Sequence, residues 1–487
     1  ICSENLCNYY SVKDNISKCW TISLSPTGGR GIFAAKFIKK GSLIFGNKVV
    51  ILGPRPDCAD LKFCSNCYQL LDSCEPCNKC NLLICSKECQ TATEHLRYCN
   101  FIERYWVTKT NCEKNSTALS KALIYLQSLT LNKCELALLQ NLQPSKDTLE
   151  VNELNELYQN YVIPDEHKQS MTFVYRLLKN NAFRIATRVN ERKVPLRGLY
   201  ILSSLLNHNC TPNTRNVFTS DLAINVYATK DIQPGEEICT SYTGVLWSTP
   251  ARRHQLYKTK GFWCKCQRCC DVTERGTRLS ALKCVNKECV GVLLPMKPLE
   301  LSTNWLCDDC GVAVNFTQVG DIQAALGSLL GAMNLDNQCR LEPCILERLA
   351  KFIPYSSHIF VDLRLRFAMK IGFSPANSRW YFLSESQLCL KENLCRDTLR
   401  TVAALALGDA HLRGLLLYHL HATLAERARR SPDLYEDLKP EIEYTIEQAH
   451  SILEGDISAP PDLELRRRYL GPGCDKTYQE RFLIVGT

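Results

Sequence analysis

The sequence feature that most constrains this fold is a cysteine that lies far from the three thiols it could join. Cys210 belongs to residues 207–213, which read Asn-His-Asn-Cys-Thr-Pro-Asn. The other thiols come much later in the chain, at Cys264, Cys266 and Cys269. Three cysteine ligands are one too few for a tetrahedral zinc site, and Cys210 can supply the fourth. The sequence therefore predicts a zinc ion that ties two distant segments together.

Two other regions carry cysteines in pairs at the spacing of zinc sites. The first region, residues 64–99, offers ligands for two tetrahedral ions. Its pairs are Cys64 and Cys67, Cys77 and Cys80, Cys85 and Cys89, and His95 and Cys99. The second region has its pairs on either side of a hairpin-like segment, which is typical of a zinc ribbon. These pairs are Cys284 and Cys289, and Cys307 and Cys310. Scattered buried thiols would not keep this spacing.

The cysteine content also bears on compartment and charge. Because the 29 cysteines have the spacings of metal sites, the protein is expected in a reducing compartment, the cytoplasm and nucleus. The formal charge of +9 would suit a nucleic-acid partner. Fifteen metal-bound thiolates and four zinc ions would bring it to about +2, however. Lys and Arg form no long block, so direct DNA binding is not expected.

Hydrophobic periodicity predicts short strands near the start of the chain and helices farther on. Alternating apolar residues predict strands over 17–52, around a glycine-rich turn, and another strand over 219–227. Residues 116–180 have helical spacing. Later helices are predicted at 322–330, 345–353, 359–371, 387–394, 399–428 and 434–453. The best candidate for a membrane span, 401–420, is interrupted by charged residues, so no span is expected.

Three of these elements occur in an order that resembles the SET-domain protein lysine methyltransferases. The family signature is Asn-His-x-Cys-x-Pro-Asn, then Gly-Glu-Glu-x-x-x-x-Tyr, then Cys-x-Cys-x-x-Cys. It corresponds here to residues 207–213, 235–242 and 264–269. The paired ligands of residues 64–99 resemble a MYND zinc finger. A SET domain that a MYND finger splits is typical of the SET and MYND domain family, and the ribbon resembles an arthropod branch of that family.

The resemblance implies a multidomain α+β protein, with a small-sheet SET fold split by the finger. The implied divisions are the N-terminal part of the SET domain (17–63), the MYND finger (64–99), a helical insert (100–198), the C-terminal part of the SET domain (199–247), a cysteine-rich post-SET segment (248–275), the zinc ribbon (280–315) and a helical C-terminal domain similar to tetratricopeptide repeats (319–487). No clean repeat of that length is found, so a helical cap on the SET domain is an equal interpretation.

The resemblance also implies S-adenosylmethionine as the methyl donor and about four zinc ions. The residues that match cofactor-binding positions are Gly29, Arg30, Gly31, Asn181, Asn207, His208, Tyr242 and Phe262. Tyr242 is in addition the expected catalytic hydroxyl. Phe183 matches a residue that contacts the cofactor and the substrate pocket, and a place in the core is an equal alternative for it.

In the MYND pattern the ligand pairs interleave. One ion is then expected on Cys64, Cys67, Cys85 and Cys89, and the other on Cys77, Cys80, His95 and Cys99. The gaps before Cys85 and His95 are shorter than the family norm, and the usual Trp before the final His is missing. Zinc is still expected, whereas the binding of proline-rich peptides, known for some MYND fingers, is not.

Lys260 is the departure with the largest consequence. Many family members have a Tyr two residues before the aromatic that corresponds to Phe262, and its hydroxyl can orient the substrate amine. An ammonium in that place would repel a protonated substrate lysine. Tyr257 is a nearby hydroxyl that could compensate.

Three functions stay open at this level. The favoured one is an S-adenosylmethionine-dependent protein-lysine N-methyltransferase, monomeric, that acts on histone or other proteins and regulates chromatin. The alternative suggested by Lys260 is a catalytically weak or inactive scaffold that binds protein partners through the MYND finger or the helical domain. A DNA-binding zinc protein has the least support, because no helix rich in Arg or Lys follows the paired cysteines.

Overall fold

The protein is described here by a computed structural model. It describes residues 19–26, 28–58, 61–73, 75–109, 112–145, 152–185, 192–332, 343–372 and 382–485. Residues 17–18, the expected start of the SET domain, and 486–487, the expected end of the helical domain, lie outside the described residues.

The first half of the chain forms short strands in several small sheets. The strands are β1 Trp20–Leu24, β2 Arg30–Ala34, β3 Leu43–Asn47, β4 Ile51–Pro54, β5 Glu75–Pro76, β6 Leu83–Ile84, β7 Val107–Thr108, β8 Tyr161–Val162, β9 Phe183–Ile185, β10 Leu196–Leu199, β11 Asn207–His208, β12 Thr214–Phe218, β13 Ile224–Ala228 and β14 Glu237–Thr240. The three larger sheets have the strand orders β1-β2-β14-β11, β4-β10-β9 and β12-β13-β3. Two strand pairs, β5-β6 and β7-β8, complete this half.

Apolar side chains from these sheets share one core with the helical insert. Trp20 and Ile32 of the paired strands β1 and β2 are buried, and the Trp20 ring lies edge-on to Phe45 at 5.9 Å. The insert and finger helices are α1 Lys87–Thr91, α2 Thr93–Tyr105, α3 Cys112–Leu129, α4 Lys133–Leu139, α5 Asn152–Asn160 and α6 Asp165–Asn181. Helix α3 buries the apolar face that the sequence predicts, with Leu119 and Leu123 fully enclosed.

The second half of the chain is helical apart from a four-stranded sheet. The helices before that sheet are α7 Thr249–Lys260 and α8 Gln267–Cys270. The sheet has the order β15 Leu282–Lys283, β16 Val292–Pro295, β17 Trp305–Cys307 and β18 Ala313–Val314. The remaining helices are α9 Phe316–Ala332, α10 Pro343–Ala350, α11 His358–Lys370, α12 Glu385–Ala404, α13 His411–Arg430, α14 Tyr435–Leu453, α15 Leu463–Leu470 and α16 Tyr478–Val485.

The four-stranded sheet shares a hydrophobic core with the helices that follow it. Leu293 and Trp305 of the sheet belong to the same buried cluster as Ile353, Phe360 and Phe367 of the helical region. From α11 onward, consecutive helices pack on one another. In the part of the chain that the structure describes, none of the helices is both long and apolar enough to pass through a bilayer.

Several predicted elements are wrong in their extent, among them the helix predicted over 387–394, which continues as α12 to Ala404. The strand predicted over 219–227 begins only at Ile224, because residues 219–223 form a turn in which Leu222 has a φ of 63°. The helix predicted over 399–428 is broken between α12 and α13. Gly408 has a φ of 60° there, and a Cβ at this residue would collide with the carbonyl oxygen of Thr229. The break lets the chain approach β13 closely, which apolar periodicity does not reveal.

The helical region packs against the sheet β12-β13-β3. The Asp409 amide donates to Thr229 O at 2.8 Å, and the Ile457 amide donates to Phe218 O at 2.7 Å. The buried Arg215 of β12 donates through Nε to Ile452 O at 3.0 Å. Because these are buried or main-chain hydrogen bonds, the helical region is a fixed cap on this sheet.

Candidate active site and zinc centres

The parallel pairing of β11 with β14 brings the distant signature segments together. Asn207 and His208 of β11 lie opposite Cys239 and Thr240 of β14. The other edge of β14 pairs with β2, the strand that follows the glycine-rich turn. Tyr242 comes shortly after β14, so a single sheet places all three segments side by side, and the surface that they share is termed the cleft.

Asn207 is the centre of a hydrogen-bond network. Its Nδ2 donates to the carbonyl of Arg30 at 3.1 Å and to Glu237 Oε1 at 2.7 Å. Ser25 Oγ donates to the other oxygen of Glu237 at 3.0 Å. A Cβ on Gly31 would collide with Glu237 Oε1 and lie 2.9 Å from Asn207 Nδ2. A side chain at residue 31 of β2 would therefore have to displace the Glu237 carboxylate from this network.

His208 connects the cleft to a cysteine cluster. Its Nδ1 accepts a hydrogen bond from the backbone amide of Tyr242 at 3.0 Å. Its Nε2 lies 3.2 Å from Cys210 Sγ, so the tautomer that satisfies both contacts carries its proton on Nε2 and donates it to the sulfur. The imidazole ring lies 5.4 Å from the Tyr242 ring and 6.2 Å from the Phe262 ring.

Tyr242 presents a partly open ring and an enclosed hydroxyl. Its hydroxyl donates to the carbonyl of Leu206 at 2.6 Å, while 37% of the residue is exposed. Burial raises the pKa of the Tyr242 hydroxyl, so it stays protonated at neutral pH. The hydroxyl is therefore a neutral hydrogen-bonding group whose proton is donated to the Leu206 carbonyl.

Lys260, the last residue of α7, lies against the same ring. Its Nζ is 5.4 Å from the Tyr242 ring centroid and donates to the carbonyl of Asn180 at 2.5 Å. Burial lowers the pKa of Lys260. The ring of Tyr257, the nearby tyrosine that could compensate, stacks on Trp263 at 4.5 Å.

The side chains of three further predicted site residues have partners within the protein. The Asn181 amide donates to Gln143 O at 3.0 Å and to Leu177 O at 2.9 Å. The Arg30 guanidinium donates to Asn141 O. Phe183 is half-buried, packs against the main core and lies edge-on to Tyr200 at 5.6 Å. The cofactor-binding and pocket roles expected for these three side chains stay predictions. Gly29 has a φ of 71° and open space around its missing Cβ.

The described residues contain four groups of metal-ligating side chains. Within each group, the ligand atoms all lie within 4.8 Å of one another. The groups are Cys64, Cys67, Cys85 and Cys89; Cys77, Cys80, His95 and Cys99; Cys210, Cys264, Cys266 and Cys269; and Cys284, Cys289, Cys307 and Cys310. These are the groups predicted from the spacing and from the MYND pattern. Donor sets of four sulfurs, or of three sulfurs and an imidazole, fit structural zinc. The protein therefore has sites for about four zinc ions.

The donor orientation in the finger fits zinc despite its shortened gaps. His95 donates from Nδ1 to Gln90 O at 2.6 Å, which leaves Nε2, 3.5 Å from Cys80 Sγ, as the ligand atom. Cys85 Sγ lies 3.6 Å from Cys67 Sγ and 3.5 Å from Cys89 Sγ. The shorter loops thus still bring both ligand sets together.

A buried charge network surrounds the cluster of Cys210. Glu274 Oε2 pairs with Arg252 at 2.6 Å and with Arg268 at 3.1 Å, and all three side chains are almost fully enclosed. Arg252 donates to Cys269 Sγ at 3.7 Å, and Arg268 donates to the carbonyl of Cys210 at 3.0 Å. Burial alone would raise the pKa of Glu274, but the two guanidiniums bring it below its ordinary value. The arginines offset the negative charge of a four-thiolate zinc site.

Sequence reasoning missed this network and the role of Glu237. Arg252 and Glu274 belong to no motif, and Arg268 is a variable position of the Cys-x-Cys-x-x-Cys signature. Only their enclosure in the tertiary structure shows that they support the zinc site. Glu237 lies in the Gly-Glu-Glu segment, which is a signal that could have singled it out as the partner of Asn207.

Comparison with known proteins identifies the family. The SET domain matches residues 29–243. The Drosophila melanogaster "SET domain-containing protein SmydA-8, isoform B" is 32% identical over 356 residues, which are 71% of this chain and 79% of that protein. The chain belongs to the SET and MYND domain family. Its multidomain α+β architecture, with cysteine clusters and a helical C-terminal region, is as the sequence predicts.

Two further relatives are less similar to this chain. The Arabidopsis thaliana "Histone-lysine N-methyltransferase ASHR1" is 25% identical over 310 residues, 57% of this chain and 61% of that protein. The Gallus gallus "N-lysine methyltransferase SMYD2" is 26% identical over 268 residues, 50% of this chain and 58% of that protein. The name of the first relative specifies a histone lysine as the substrate, whereas the name of the second specifies lysine without a histone.

Proposed function

We propose that this protein is a protein-lysine N-methyltransferase that uses S-adenosylmethionine. The observation that carries the proposal is the convergence of Gly31, Asn207, His208 and Tyr242 on one cleft beside a buried cysteine cluster. The names of the two distant relatives support lysine as the acceptor. The proposed substrate is a protein, either a histone or a non-histone protein.

The residues around Asn207 would hold the cofactor. Gly29 and Gly31 allow close backbone approach, the carboxamide of Asn207 is fixed by Glu237, and His208 and Phe262 offer ring surfaces. S-Adenosylmethionine supplies an electrophilic methyl group on sulfur. The transfer is an in-line displacement, so the chain contributes mainly by positioning.

The acceptor lysine must lose a proton before it attacks. An ordinary lysine has a pKa near 10.4, and a desolvated cleft favours its neutral form. The protonated hydroxyl of Tyr242 and the carbonyls near it, such as that of Leu206, orient the lone pair of the amine. The four zinc sites are structural, because four protein ligands for each ion leave no open position for a reacting water.

The first experiment measures cofactor binding and methyl transfer with the zinc-loaded chain. Calorimetric titration with S-adenosylmethionine is followed by a labelled-methyl assay on mixed cell protein, with wild type and Tyr242→Phe. We expect the variant to bind the cofactor normally and to transfer methyl groups about a hundredfold more slowly, since it keeps the ring and loses the orienting hydroxyl. Tyr444→Phe, at an exposed tyrosine of α14, is the matched control. Absence of cofactor binding by wild type would refute the proposal.

A second candidate function is a scaffold with weak or no activity, and the ammonium of Lys260 against Tyr242 is the observation that favours it. The variant Lys260→Tyr separates the two functions. If only the variant transfers methyl groups, the wild type is a scaffold, whose partners would bind the MYND finger or the helical domain.

A further inference from the structure

Lys260 has a fixed place at the edge of the cleft. It ends α7, and Gly261 follows it in the left-handed region with a φ of 74°. Its ammonium donates to Asn180 O in the last turn of α6, where the helix leaves its own carbonyls without donors. A positive charge is favourable at such a helix end. Lys260 is therefore anchored beside Tyr242, and its charge does not move freely in solvent.

The charge of this ammonium is not balanced by the surrounding protein. Among the described residues, no Asp or Glu forms an ion pair with Lys260. The carboxylate of Glu237 is held by Asn207 and Ser25. An ammonium has three N–H donors, and the bond to Asn180 uses one of them. Two N–H donors of the ammonium therefore have no hydrogen-bond acceptor among the described residues.

We propose that Lys260 makes the cleft selective for a substrate lysine that lies next to an acidic residue. This inference rests on the proposed function, because it assumes that the acceptor amine enters beside Tyr242. Two ammonium groups in one half-buried cleft repel each other. A carboxylate from the substrate would accept hydrogen bonds from the remaining N–H groups of Lys260, and its negative charge would offset the charges of the two ammonium groups. Hydrogen bonds between charged groups are stronger than those between neutral groups. The preferred substrate is then an acidic protein segment that contains lysine.

The test uses a lysine peptide in three forms, with Glu, Gln or Arg at the two positions on each side of the lysine. Peptide dissociation constants are measured by fluorescence anisotropy with the zinc-loaded full chain and S-adenosylhomocysteine, and kcat/KM is measured with S-adenosylmethionine. The proteins are wild type, Lys260→Met, Lys260→Arg and Lys260→Glu. Thermal melting and cofactor affinity establish that each variant is folded, because Cys264 is close in the chain.

Wild type is expected to bind the Glu peptide about ten- to a hundredfold more tightly than the Gln peptide, as a hydrogen bond to a charged group would give. Lys260→Arg should keep this preference, Lys260→Met should lose it, and Lys260→Glu should prefer the Arg peptide. Equal binding of the three peptides by wild type, or a preference that survives in Lys260→Met, overturns the proposal. So does an equal gain for all peptides in Lys260→Met, since Lys260 would then be a general obstacle.

The two readouts separate this proposal from the proposed function. If the Glu peptide binds best but no peptide is methylated, the methyltransferase assignment fails and the selectivity of Lys260 stands. If the peptides are methylated without regard to the flanking charge, the methyltransferase assignment stands and the role of Lys260 as a specificity residue is wrong.

Discussion

Gly31 shows at the scale of one residue how the site depends on the absence of a side chain. In Gly31→Ala the added Cβ would push Glu237 and Asn207 apart, because it collides with the carboxylate and lies 2.9 Å from the carboxamide. We expect the affinity for S-adenosylmethionine to fall by about tenfold or more, since that network holds the cofactor-binding residues in place. Calorimetric titration measures the change.

Gly320→Ala is the control for this prediction. Gly320 lies in α9 with open space around its missing Cβ, so alanine there should leave cofactor affinity unchanged and slightly stabilise the helix. Unchanged affinity in Gly31→Ala would mean that the network around Asn207 has no part in binding. The sequence predicted a cofactor role for Gly31 through the family resemblance. The contact that a Cβ at Gly31 would make is with Glu237, which is far away in the sequence.

At the scale of elements, α7 and α8 are held around the Cys210 cluster by Glu274. The change Glu274→Gln removes the carboxylate charge that pairs with Arg252 and Arg268, so only the thiolates of the zinc site remain to offset the two enclosed guanidiniums. Breaking a buried pair in this way costs about 3–5 kcal/mol. We expect a clear drop in the thermal unfolding midpoint and weaker zinc retention under chelator, both of which are measurable with the purified chain.

Glu300→Gln provides the comparison at the surface. Glu300 pairs with Lys297 at 3.0 Å, both side chains are more than half exposed, and such pairs contribute about 0–1 kcal/mol. Equal effects of the two substitutions would show that the buried network does not support the cluster. Sequence patterns locate α7 and the three thiols after it, but the burial of Glu274 depends on segments that meet only in the folded chain.

At the scale of the whole molecule, the ribbon and the helical region form one body. Leu293 and Trp305 of the ribbon share a buried cluster with Phe360 of α11. In Cys307→Ser the ribbon loses a buried ligand, and its zinc site should fail. We expect the thermal midpoint of the helical region to fall by at least about 5 °C, because zinc binding contributes to folding. Affinity for S-adenosylmethionine should be retained.

Differential scanning calorimetry measures this prediction, and Cys270→Ser is its control. Cys270 is exposed and belongs to none of the four ligand groups, so its substitution should leave the midpoint unchanged. A helical region that melts at the same temperature in Cys307→Ser would show that the ribbon is an independent appendage. The shared core follows from packing between residues that no sequence pattern links.

The sequence alone determined the ligands of the zinc sites and the order of the signature segments. Metal ligation needs particular side chains at short spacings, and such ligand pairs can be identified directly in the sequence, as in residues 64–99. Local periodicity likewise located α3 and most of the later helices. Periodicity failed where a contact with a distant segment decides the local structure. At Gly408, the close contact with the Thr229 backbone breaks the helix predicted there.

Only the tertiary structure decided what surrounds each functional side chain. From the sequence, Lys260 is expected to repel a protonated substrate lysine. The structure shows that its ammonium donates to Asn180 O, with two N–H groups that have no acceptor among the described residues. Glu274 and Glu237 gain their roles from partners that folding brings near. The physical reason is that charge, burial and hydrogen bonding depend on distances in space, and most of these distances join residues that are far apart in the chain.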